Sequence, residues 1–403
     1  MKKQIILFAV LFIFIFSGCS RQSDWVQFRG DRGRGASRAR ISPPLGVRWK
    51  IKLQNSDERI NFLNPPVVIG NTIYFGSEDG NFYALDVESG YMRWVFRSGA
   101  EINSIPYADN SQVYFGSRDG KLYALSRKDG REMWNFRTNS QINSQVERYK
   151  DHVVFVGDAD AIYFLSPDGT EQFRIDNPGW YNFTFNMADD VMYFATGPHV
   201  QLVGPYDINR REFLWFLPFH EIQAYWYSFA AVRKDLLYFG TSDGFEMGFY
   251  AFNRHTGKKT WERRSEGVFN DLLWDDYDRW SFFIRNVEML DFLAPAIWKK
   301  LVIYTGGDTV ARAFDAETGA LRWERAFDMP ISSSATVAGG RLYFGLLGDD
   351  QNPSKLVCLE ARDGRLLWSM ETEGSLLASP VIAGKRIIFG TDRNIFYVLE
   401  EVF

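Results

Sequence analysis

Gly240-Thr241-Ser242-Asp243-Gly244 satisfies G-x-S-x-G, the pattern that lifts a nucleophilic serine onto a sharp turn between a strand and a helix. The same spacing recurs as Gly-Ser-x-Asp-Gly at Gly76 to Gly80 and Gly116 to Gly120, each time between two apolar runs. Ser242 is therefore assigned to a hairpin turn and not to acyl transfer. The histidines, His152, His199, His220 and His255, fall in different stretches of the chain without the i, i+4 pairing of a zinc helix, so no metal site is expected. Arg29-Gly30-Asp31 spells an integrin-type tripeptide inside a Gly- and Arg-rich stretch that reads as a solvated connector. Of the two cysteines, Cys358 lies in "KLVCLEARDG", where a parallel segment reads "KLYALSRKDG", and so takes the place of Ala124. A small buried thiol fits that position better than a reactive one. No catalytic residue, cofactor site or metal site is expected from these motifs.

The elements that carry them repeat. An apolar strand ending in Phe-Gly, a turn, an apolar strand running through Ala-Leu, an Asp/Gly turn and then Trp recur along the chain, as in "IYFGSEDGNFYALDVESGYMRWVF" and "VYFGSRDGKLYALSRKDGREMWNF". The terminal aromatics are Trp49, Trp94, Trp134, Phe173, Trp215, Trp261, Trp323 and Trp368, at spacings of 45, 40, 39, 42, 46, 62 and 45. About four strands per unit at such a period predict an all-β, eight-bladed β-propeller of four-stranded antiparallel blades. Runs such as Val113 to Gly116 and Leu122 to Leu125 are apolar on both faces, as strands sandwiched between neighbouring blades must be. Each Trp is expected to dock over the next blade. Asn64, Ser104, Ser144, Ser333 and Ala378 stand at equivalent places before the second strand, as small residues should where strands converge on an axis. Seven blades run from about Ile60 to Met370, and "GVRWKIKL" is predicted to add the outermost strand to a C-terminal blade that has three strands and no Trp. That pairing closes the ring and removes its free edges.

With 46% hydrophobic, 17% aromatic and 24% charged residues the chain belongs among packed globular proteins. A formal charge of −4 argues against a nucleic-acid partner. Lys2 and Lys3 precede an apolar run from Ile5 to Phe16, too short to cross a bilayer and suited to a signal-peptide core. Phe16-Ser17-Gly18-Cys19 resembles a bacterial lipoprotein box, which implies cleavage before Cys19 and its lipidation. An ordinary secretory leader or a retained anchor helix is the alternative. Ser20, where Asp is absent, resembles the pattern of lipoproteins sent to the outer membrane. The expected organisation is a signal peptide over residues 1–18, a lipidated connector over 19–45 and the propeller over 46–403, with an insertion at about 267–299.

"YALDVESGYMRWVF", "ARAFDAETGALRWERAF" and "VCLEARDGRLLWSM" resemble the repeat of the pyrroloquinoline-quinone (PQQ) propeller superfamily, and "DWVQFRGDRGRGAS" resembles the lead-in of its exported bacterial members. A lipidated propeller with no further domain is most similar to the BamB-type outer-membrane assembly lipoproteins. That resemblance implies a non-enzymatic scaffold on the periplasmic face of a bacterial outer membrane, docking onto the barrel-inserting complex, with a periplasmic or extracellular location as the alternative. A monomer is expected. The superfamily also includes PQQ-dependent dehydrogenases, for which the resemblance implies adjacent disulfide-bonded cysteines, a calcium cluster and an Asp base. This sequence has neither adjacent cysteines nor a Cys-x-x-Cys-His motif, so no cofactor is expected.

Departures from the repeat mark where function can reside. The 62-residue spacing carries "GVFNDLLWDDYDRWSFFIRNVEMLDFLAPAIW", and Trp274, Tyr277, Trp280, Phe282 and Phe283 within it are candidate partner-binding residues, with a channel plug or blade cover as the other reading. Trp180, Tyr181, Tyr225 and Trp226 put aromatics among polar residues and are candidates for stacking a sugar or other small ligand, or for filling an irregular half of the ring.

Overall fold

The computed structural model describes residues 24–30, 33–53, 64–158, 160–176, 183–196, 204–217, 226–242, 246–266, 293–306, 308–349 and 351–402. Among these residues the regular elements are strands, gathered into eight sheets, each built on four positions of an antiparallel meander. The blades begin at Val67, Tyr107, Glu147, Phe183, Trp226, Ala296, Thr336 and Val381. Blade one shows the pattern, with an innermost strand Val67–Ile69, then Thr72–Gly76, Asn81–Asp86 and an outermost strand Met92–Arg97. The first two are wholly buried, because blades cover both their faces; the outermost alternates between partly buried and exposed, because only its inward side has a neighbour.

The ring closes as expected. Leu45–Lys52 pairs antiparallel with Ile395–Glu401, setting Trp49 opposite Val398 and Lys52 opposite Ile395, and so becomes the outermost strand of blade eight. Without it the third strand of that blade would present a free edge.

Sequence periodicity becomes packing at the blade seams. Outermost strands other than blade four's carry a register shift beside the repeat's aromatic, as between Glu132 and Trp134 or Val47 and Trp49, and such a bulge re-aims the ring towards the next blade. There the indole Nε1 donates to a backbone carbonyl: Trp94 to Arg127 at 3.1 Å, Trp134 to Pro167 at 2.9 Å, Trp215 to Arg254 at 2.9 Å. The ring lies flat on the glycine of the neighbour's third-to-outermost turn. Gly130 has φ 71°, and a Cβ added there would stand 2.6 Å from Trp94 Cδ2. Only glycine admits both the left-handed backbone and the indole. Blade three has Phe173 in place of Trp, and the facing position is Arg211, at φ 59°, with its guanidinium 5.3 Å from the Phe173 centroid. The smaller ring leaves room for a side chain, which then stacks on it.

The small inner-strand residues do more than avoid crowding. Ser104 Oγ donates to Gly116 O at 2.8 Å and accepts from Gly116 N at 2.7 Å, tying off both backbone groups where the second strand ends. Ser144 makes the same pair of bonds with Val156, and Ser333 accepts from Gly345 N at 2.9 Å. Ser228, which the sequence reading passed over, accepts from Gly240 N at 2.7 Å. Ser104→Ala is expected to destabilise the protein by about 1–3 kcal/mol, the cost of leaving a buried amide and carbonyl unpaired, measured as a lower urea midpoint.

Strand direction sorts the turns. Innermost strands run towards one face, second strands away, third strands back and outermost strands away again. The innermost-to-second and third-to-outermost turns therefore share one face, and the second-to-third turns and blade-to-blade connections share the other.

Candidate functional site

The segment before blade eight's outermost strand is not the solvated connector that Arg29-Gly30-Asp31 suggested. It enters the first of the two faces and plugs the axis. Trp25 exchanges both backbone hydrogen bonds with Val68 of blade one, and Val26 O accepts from Ala108 N of blade two. Phe28 then reaches the centre of the ring, packed against Ile105 of blade two, Phe229 of blade five and Ala294 leading into blade six. Its ring meets Phe229 edge-on at 5.1 Å and is 2% exposed. An apolar side chain is what the converging innermost strands can accept there.

Arg29, beside it, is 1% exposed and draws three blades together. Its guanidinium donates to Pro295 O at 2.9 Å, Ala294 O at 3.3 Å and Ser379 Oγ at 2.7 Å, which belong to the approaches to blades six and eight, and to Ala335 O before blade seven at 3.5 Å. The planar fork of arginine suits such divergent acceptors, and their dipoles replace the water it loses. The chain returns through Gly35, where φ is 56° and a Cβ would lie 2.3 Å from the Arg29 guanidinium. Arg34 O accepts from Ile297 N at 2.8 Å, and Ala36–Ser37 adds as a parallel strand beside Thr336–Ala338 of blade seven. Ser37 Oγ donates to Ile382 O in blade eight at 2.7 Å, and Tyr343 Oη donates to Ile41 O at 2.9 Å. Polar groups of this segment are spent on binding blades to one another.

On the opposite face, blades two and three carry a polar cluster. Arg118 pairs with Glu101 and donates to Gln141 Oε1 at 3.0 Å, and Asn143 donates to Asp158. Burial pushes the Asp158 carboxyl up to about 6 against the pull of Asn143. Between blades three and four Glu147, 2% exposed, is raised to about 8 by burial, with Gln145 its hydrogen-bonding neighbour. The folded protein holds this proton up to about pH 8, whereas the unfolded chain releases it near its ordinary value of 4.5. Unfolding loses a proton in that window, so stability declines as pH rises through it. Glu147→Gln is expected to flatten the decline between pH 5 and 8 (roughly the interval between the two values), read from urea midpoints across that range.

The sequence-nominated residues are placed as follows. Trp274, Tyr277, Trp280, Phe282 and Phe283 lie outside the described residues, as do Trp180, Tyr181, Tyr225 and Cys19. Of the stretch 267–299, Ala296–Trp298 is the innermost strand of blade six. Trp226 begins blade five, its backbone paired with Ser242. Ser242 ends a strand whose next described element, Glu246–Asn253, is also a strand, so the strand-to-helix elbow of a nucleophilic serine is not formed. Cys358 is fully buried, and desolvation raises its thiol to about 12. His152 packs against Phe173 and His255 bonds Asp235, in different blades.

The fold recurs widely. At 15% identity the chain superposes on BamB from Moraxella catarrhalis with a TM-score of 0.64, covering 88% of this chain and 99% of that one. The computationally designed Ika8 protein gives 14% and 0.66, covering 85% and 97%, and the quinohemoprotein alcohol dehydrogenase from Comamonas testosteroni gives 14% and 0.72, covering 95% and 81%. At these identities the likeness shows the architecture alone. No curated protein matches the sequence. The profile of the family described as outer membrane protein assembly factor BamB matches residues 43–160 and 306–402, taking in the ring closure and the blades on either side of it. On that match the chain belongs to the BamB family of PQQ-like propellers.

Proposed function

We propose that this protein is a non-enzymatic scaffold, held by lipid on Cys19 at the periplasmic side of a bacterial outer membrane, that offers protein partners a rigid surface during outer-membrane protein assembly. The family match over both ends of the ring carries the reading. The plugged axis supports it, because buried Phe28 and Arg29 bind the blades into one body. Trp274, Tyr277, Trp280, Phe282 and Phe283 are its candidate contacts. Photo-crosslinking from positions 274 and 280 in living cells, with co-purification of the lipidated protein, is expected to capture an outer-membrane barrel-assembly component. Recovery of the uncrosslinked protein alone from both positions and from the pull-down would overturn it.

A PQQ-dependent dehydrogenase is the second reading, since a quinohemoprotein alcohol dehydrogenase shares the architecture. The residues do not fit that group: the sequence lacks adjacent cysteines, and among the described residues no three His, Cys, Asp or Glu gather to hold a metal ion. Dye reduction on adding PQQ and calcium with an alcohol would restore this reading.

A further inference from the structure

We infer that the plugged face of the propeller is a docking surface for an anionic lipid bilayer, and that the opposite face points away from the membrane. The inference rests on the lipid anchor at Cys19 proposed above. Two independent observations lead to it.

The first is the point at which the chain enters the ring. Asp24 Oδ1 accepts from Gly70 N at 2.9 Å, in the innermost-to-second turn of blade one, and Trp25 is already bonded to Val68. Asp24 is thus fixed on the plugged face and close to the axis. Cys19 precedes it by five residues, a span of at most about 18 Å even when fully extended. A lipidated Cys19 cannot reach around the blades to the other face, so acyl chains in a bilayer bring the plugged face against the headgroups.

The second is charge. The turns on the plugged face carry fourteen Lys and Arg against ten Asp and Glu, among them the exposed Lys128, Lys150, Lys258, Lys299, Lys300 and Lys385. The described turns and connections of the opposite face carry two Lys and Arg against eleven Asp and Glu. A negative surface potential attracts the first set and repels the second within about a Debye length, close to 8 Å at physiological salt. Tether and field select the same orientation.

The test uses the native mature chain, with the mass of its N-terminal peptide giving the acylation of Cys19. The protein is placed on vesicles of phosphatidylglycerol and phosphatidylcholine, acetylated briefly, and each lysine is read by mass spectrometry against the detergent-solubilised protein. Lys128, Lys258, Lys299 and Lys385 are expected to lose reactivity several-fold, and Lys52 and Lys121, at the far ends of their strands, to keep it. High salt or pure phosphatidylcholine should reduce the protection. Protection of Lys52 and Lys121 to the same extent, or no protection of the first set, overturns the inference. If Cys19 carries no acyl chains, the anchor reading fails by itself. The face is then decided by co-sedimentation of the unacylated chain with the same anionic vesicles: the same lysine pattern supports it, and failure to sediment overturns it.

Discussion

Phe28→Ala is expected to lower the unfolding free energy by about 3–5 kcal/mol, as for a large aromatic removed from a site that cannot collapse around the gap. The site cannot collapse because its walls, Ile105, Phe229 and Ala294, are fixed by three different blades. The loss should appear as a lower urea midpoint with an unchanged slope, since the folded and unfolded surfaces stay alike. Arg38→Ala, an exposed change on the same segment, is the control, and is expected to stay within about 0.5 kcal/mol. Equal effects of the two substitutions would mean that the ring is stable without its plug.

The second large effect concerns the seams. Gly130→Ala must place a Cβ against the Trp94 ring and hold a left-handed backbone. The backbone costs about 1–2 kcal/mol and overpacking about 1–3 kcal/mol more. At the seam of blades three and four the rule inverts, because Phe173 faces Arg211. Phe173→Trp alone should destabilise by a similar overpacking amount, and Arg211→Gly alone should do little, trading a stacked guanidinium for a relaxed backbone. Together they recreate the Trp-on-Gly pair found at seams such as Trp94 on Gly130 and Trp134 on Gly169. A double-mutant cycle on urea midpoints is expected to give a favourable coupling of about 1–3 kcal/mol; strictly additive effects would remove the steric account of this pairing.

These two predictions also mark what the amino-acid pattern made legible. The blades could be counted because Trp, Gly and the Phe-Gly strands recur for one mechanical reason, the fit of an indole on a glycine that most seams share. Closure through Trp49 was legible because an orphan outermost strand and an incomplete blade complement each other. The plug was not, since it occurs once and has no period. Arg29-Gly30-Asp31 looked solvated by composition, although Trp25, Val26 and Phe28 ahead of it were a poor match for an exposed linker, and Gly33 and Gly35 after it hinted at a tight return. Ser228 was hidden for the opposite reason: aromatic neighbours masked a position that kept its spacing to Leu237. Candidate contact residues such as Trp274 were nominated by irregularity, which tells where a repeat is interrupted and not what the interruption touches.

Ring closure also sets a schedule. A ribosome makes Phe28, Arg29 and Trp49 early and Ser379 and Ile395 last, yet Arg29 bonds Ser379 and the strand of Trp49 pairs with that of Ile395. Nearly the whole polypeptide must be synthesised before its opening segment finds a permanent home. Contacts so distant along the chain are slow to form, and until they do the apolar start of the protein stays open to chaperones, proteases and its own kind.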